Sequence, residues 1–94
     1  MTNLNHLRVH VWISGQVQGV GYRMSTCRAA ETLGINGWVK NLPDGRVEAV
    51  FEGPPELVEE MIRWCHKGPR MAIVQEVKVE HEEPEGIQGF YTSR

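Results

Sequence analysis

A chain of 94 residues with 40% hydrophobic content is sized for one domain with a modest core, so residues 1–94 are read as a single domain led by a flexible tail over residues 1–6. The net charge is −2 and no basic block stands out, which argues against a nucleic-acid partner. There is neither a run of about eighteen apolar residues nor a signal-type N-terminus, so a soluble, cytoplasmic chain with no membrane association is expected. Cys27 and Cys65 are too few and too far apart for a disulfide framework or a CxxC motif, and they read as buried thiols. His6, His10, His66 and His81 lack metal-ligand spacing, and no metal site is expected.

Leu7, Val9, Val11 and Ile13 alternate with Arg8, His10, Trp12 and Ser14, the period-two pattern of a strand with one face in a core. The strand runs into a glycine-rich loop. Beyond it, Met24, Cys27, Ala30 and Leu33 form a helical stripe that Gly34 can end as a C-cap. Residues Gly37–Leu42 and Arg46–Glu52 read as two strands of a hairpin around Pro43-Asp44-Gly45. Gly53-Pro54-Pro55 breaks the second strand. A second helix follows, with Leu57, Val58, Met61, Trp64 and Cys65 at helical spacing, glutamates early and His66-Lys67 late. Alternation returns over Ala72–His81, EHEEPEG reads as a solvated turn, and GFYTSR can add a short last strand.

The order β, α, β, β, α, β is that of the α+β ferredoxin-like sandwich, an antiparallel sheet with two helices on one face. Right-handed crossovers make the first and second strands parallel, with the third antiparallel between them. The loop after Ser14 and Asn41 at the end of the second strand are therefore expected to be neighbours, and Cys27 and Cys65 could approach each other beneath the sheet.

The loop, GQVQGVGYR over residues 15–23, carries the chemistry. A glycine turn from a strand into a helix leaves backbone N–H groups unpaired at the positive end of the helix dipole, a nest for a phosphate-sized oxyanion. Arg23 in the first helical turn adds a planar fork that grips two phosphoryl oxygens, which a lysine cannot do. The loop has neither GxGxxG spacing nor the GK[ST] ending of a nucleotide loop. By itself such a turn can be plain geometry, and Asn41 can simply open the hairpin turn. Trp12, Trp38 and Trp64 could stack on bases, but Trp38 and Trp64 stand in core-like contexts where packing is expected.

GQVQGVGYR resembles the signature loop of the acylphosphatases, and GWVKNLPDGRVEAVFEGP over residues 37–54 resembles their second signature at the same separation. The likeness continues through Trp64, Gly68-Pro69 and the pair Phe90 and Arg94, and departs at Tyr22, where phenylalanine is commoner. The resemblance implies a ferredoxin-like fold and hydrolysis of carboxyl-phosphate mixed anhydrides by a small monomer, with no cofactor or metal. Within it, Gly15, Val17, Gln18, Gly19 and Val20 match the loop whose amides cradle the phosphoryl group. Arg23 matches the phosphate-binding arginine, and Asn41 matches the asparagine that positions the attacking water. Two other readings stand beside it. One is a non-catalytic anion-binding module of the same fold; the other is an RNA-binding ferredoxin-like domain, against which the acidic balance counts.

Overall fold

In the computed structural model the described residues are 6–93. Residues 1–5, which take in most of the expected tail, and Arg94 of the C-terminal motif lie outside them. The elements are β1 (Leu7–Gln16), α1 (Tyr22–Leu33), β2 (Asn36–Asn41), β3 (Val47–Gly53), α2 (Pro55–Lys67), β4 (Ile73–Glu82) and β5 (Phe90–Thr92).

One sheet has the order β4-β1-β3-β2-β5. β3 pairs antiparallel with both β1 and β2, so β1 and β2 run parallel, as the crossovers require. β4 pairs antiparallel with β1, and β5 adds a parallel pairing to the free edge of β2. The ferredoxin-like arrangement is therefore present, and the short last strand widens it on the β2 side.

Alternation decides the two faces. Val9, Val11, Ile13, Val39, Val47, Ala49 and Phe51 are fully buried and meet Val58, Met61 and Cys65 of α2 with Tyr22 and Ala30 of α1. Among the described residues the other face has no helix. Arg8, His10 and Trp12 of β1 lie there, in register through β3 with Asn36, Trp38 and Lys40 of β2. Val50, opposite both His10 and Trp38, is fully buried beneath a T-shaped pair of those two rings.

Two expectations change. The inward face of α1 is Tyr22, Thr26 and Ala30, not a stripe beginning at Met24, which is 61% exposed. Thr26 is hidden from an apolar-stripe reading because its hydroxyl is polar; it is buried by donating to the Tyr22 carbonyl one turn back. Trp38 is not in the helix-covered core: it is half-buried on the open face, with Lys40 above its ring. Trp64 does pack against the core, tilted on Tyr22. Both cysteines are free, Cys65 fully buried and Cys27 half-buried.

Candidate active site

The loop is aimed by a flaw in the β1–β4 ladder. Pairing shifts between Ser14 and Gly15, a bulge that turns the end of β1. Gly15 has φ +125°, and a Cβ there would lie 2.2 Å from the Ile73 carbonyl oxygen, so only glycine lets the two strands close. Gly19 and Gly21 then bring the chain round at positive φ, and α1 begins at Tyr22.

The helix begins uncovered. No side chain among the described residues caps it, and its first turn has no acidic residue. Among the described residues, the amides of residues 18–23 donate to no protein acceptor within ordinary hydrogen-bond geometry. Beside them lies a recess of about 190 Å³ lined by Val17, Gln18, Gly19, Gly21, Arg23 and Asn41, with Tyr22 and Met24 completing the wall. A broader depression between the helices, around Ala29, Leu33 and Trp64, includes none of the loop residues.

Arg23 and Asn41 thus meet across a sequence gap of two elements, as the topology predicts. Arg8, Arg46 and Arg63 each hold a carboxylate, whereas Arg23 pairs with none among the described residues. The side chain of Asn41 likewise has no protein hydrogen bond among them. The hairpin turn does not use it: Leu42 N–H donates to the Arg46 carbonyl and Gly45 N–H to the Leu42 carbonyl, while Asp44 accepts from Arg46. Turn formation therefore does not account for Asn41.

The other loop residues divide. Val17 buries its side chain in the core and offers only backbone to the recess, while Val20 packs against the core and Gly15 serves the bulge. Gln18 does more than its amide implied. Its side-chain Nε2 donates to the carbonyls of Leu42 (2.8 Å) and Arg46 (2.9 Å), latching the loop to the hairpin that carries Asn41. A glutamine directly before Gly19 was the only sequence signal for this.

Tyr22 anchors the site from below. Its hydroxyl donates to the Cys65 carbonyl at 2.8 Å. The helical donor for that carbonyl would be the amide four residues on, but Pro69 stands there and has no N–H. Burial pushes both the Tyr22 phenol and the Cys65 thiol up, the latter to about 12, so both are neutral at neutral pH. Among the described residues no group of three or more His, Cys, Asp or Glu side chains could hold a metal ion.

An acylphosphatase family model matches residues 9–92. The chain belongs to the acylphosphatase family. Family membership makes it a hydrolase of the acylphosphatase class. Among curated relatives, the acylphosphatase of Trichormus variabilis is 64% identical over 88 residues, covering 94% of this chain and 87% of that one. That of Thermococcus kodakarensis is 56% identical over 87 residues, covering 93% and 96%. An acylphosphatase structure from Coxiella burnetii superposes with a TM-score of 0.94 at 36% identity, covering 99% of this chain and 98% of that one.

Proposed function

We propose that the protein hydrolyses acyl phosphates to a carboxylate and inorganic phosphate in the recess between the glycine loop and the end of β2. One observation carries this reading: a guanidinium and an asparagine amide, neither with a partner among the described residues, share a small recess with the start of a helix that no described side chain caps. The amides and the Arg23 fork grip the phosphoryl oxygens and stabilise the charge that spreads over them in the transition state. Asn41 holds the attacking water in line.

The chemistry asks for little more. A carboxylate leaving group has a pKa of about 4, so its departure needs little help from a general acid. An amide is a poor base, so the proton of the attacking water passes to a phosphate oxygen of the substrate. A pH–rate profile with no essential enzyme base near neutrality is the expected result. Residues 1–94 act as one domain and as a cytoplasmic monomer on a small-molecule substrate, with no nucleic-acid partner. No helix among the described residues is long and apolar enough to cross a membrane.

Hydrolysis of benzoyl phosphate with a chelator present is the direct test. Arg23→Lys loses the two-pronged grip and weakens phosphate inhibition along with substrate binding, lowering kcat/KM by about 10²-fold. Asn41→Ala lowers kcat by about 10²-fold while the inhibition constant for inorganic phosphate changes little. Phosphate binding without turnover in the parent protein would favour the anion-binding module, and equal loss of phosphate binding in both variants would undo the division of roles.

A further inference from the structure

The depression between the helices offers a place for a ligand of a different kind, and it shares no lining residue with the recess at the loop. Its volume is about 440 Å³, a size that suits a small organic molecule. Residues 25, 28, 29, 32 and 33 recur at alternating intervals of three and one, so they lie along one face of α1 and form one wall. Trp64 of α2 and Pro69, just past the end of that helix, form the other. The apolar part of the lining is Ala29, Leu33, Trp64 and Pro69, each half-buried. Trp64 is held tilted on Tyr22, with ring centroids 5.4 Å apart, so that wall is in place before anything binds.

The charge at the rim is one-sided. Glu60 is the acidic residue of the lining, and its carboxylate already accepts from Arg63 at 2.7 Å. Arg28, exposed on the facing helix, holds no carboxylate among the described residues. Its Nη2 reaches only the sulfur of Met24 at 3.7 Å, and a thioether is a weak acceptor. A guanidinium offers a carboxylate two parallel N–H donors, and Ser25 and Thr32 add hydroxyls one turn to either side of it on the same face. Neither half of the groove suffices alone: an exposed ion pair contributes little, and a neutral ring leaves the guanidinium to water. A ring that carries a carboxylate uses both.

We propose that the groove between α1 and α2 binds small aromatic carboxylates, the ring lying against Trp64, Leu33 and Pro69 and the carboxylate on Arg28. The site stands apart from the hydrolysis proposed at the loop, and both can be occupied at once.

Titration with phenylacetate, followed by backbone amide and indole NMR shifts, tests this without any turnover. The expected dissociation constant is about 1 mM. Shifts centre on the Trp64 indole and the amides of Ala29 and Leu33, and inorganic phosphate does not displace the ligand. Phenylacetamide, the same shape without the charge, binds about five- to tenfold more weakly. Arg28→Gln brings the acid down to the affinity of the amide, and Thr32→Glu, which sets a like charge beside it, weakens the acid more than the amide. Both side chains are exposed, so the fold is not at risk, and circular dichroism checks it. Shifts centred on residues 17–23 and 41, displacement by phosphate, equal binding of acid and amide, or unchanged affinity in Arg28→Gln would overturn the site. So would failure of phenylacetate to bind at all. If phenylacetate binds here and no acyl phosphate is hydrolysed, the catalytic reading fails and this one stands.

Discussion

The side-chain amide of Gln18 holds two parts of the candidate site at a fixed separation. Both carbonyls that it engages keep another donor: Leu42 O accepts from Gly45 and Arg46 O from Leu42. Gln18→Leu therefore leaves no buried acceptor orphaned, and the expected cost is about 1 kcal/mol, or about 4–8 °C in Tm. Catalysis is expected to suffer more than stability, because the loop and Asn41 lose their direct tie and small misplacements of a positioned group are costly. Thermal melts beside benzoyl phosphate kinetics check this; a fall in kcat of about tenfold or more is the expected outcome. Arg23 was legible as a candidate anion ligand because a cation in a glycine loop at a helix start has few structural duties. The Gln18 latch was not, since its acceptors lie more than twenty residues away and are backbone atoms with no side-chain signature.

The two helices are joined where one begins and the other ends. Tyr22 reaches the Cys65 carbonyl that Pro69 leaves without a helical donor, and a Cβ at Gly68 would lie 2.7 Å from the Tyr22 ring. The departure from the commoner phenylalanine thus satisfies a buried acceptor and seats the first turn of α1, with Arg23 beside it. Tyr22→Phe removes the donor and is expected to destabilise the protein by about 1–3 kcal/mol, read from urea unfolding midpoints. The ring itself remains packed on Trp64, so the recess keeps its shape and phosphate inhibition is expected to change little. The elements themselves were readable from local pattern, with ends displaced by a residue or a few. The facing of α1 was not, because Tyr22, Met24, Cys27, Ala29, Ala30 and Leu33 spread apolar groups round much of the helix.

Across the whole molecule, the helix-free face of the sheet is tied by charge. Arg8 donates to Glu52 at 3.0 Å and Glu82 at 2.9 Å, and it lies 3.6 Å from Glu85. Glu52 is 1% exposed and also accepts the amides of Glu85 and Gly86, so the acidic turn expected to be merely solvated is anchored to β3 through its backbone. His10 stacks on Trp12 and directs its ring nitrogens at Glu82 and Glu48. Burial pushes the Glu52 carboxyl up, but the Glu85 amide, the Arg8 guanidinium and the Gly86 amide outweigh it and hold its pKa below the ordinary carboxylate value. Hydrogen bonds from Arg8 and His10 lower that of Glu82 in the same direction. Carboxyls with folded-state values below their unfolded ones add stability above the unfolded value, and that stability is lost as pH falls through the folded value. Denaturant midpoints are therefore expected to hold near neutrality and to fall below about pH 4.5, with the drop shallower in Glu52→Gln. At pH 7 the same variant is expected to lose about 2 kcal/mol, because Arg8 keeps Glu82 but loses its buried partner.

Strand and helix periods, the Pro-Asp-Gly turn and the glycine loop with its arginine are local matters, written in the spacing of neighbouring residues, and they carried the order of elements, the crossovers and the candidate anion site. The meeting of Arg23 with Asn41 followed from that order, since the handedness of crossovers leaves few topologies. Tertiary packing alone decided which side of α1 turned inward, that Met24 came to the lip of the site, and that Trp38 joined His10 on the open face. It also set β5 against β2 and closed the Arg8–Glu52 knot. The reason is physical: a local period tells a residue which face it shares, but the rotation of a helix on a sheet is chosen by the fit of every core side chain at once. Bonds between residues dozens of positions apart exist only after that choice is made.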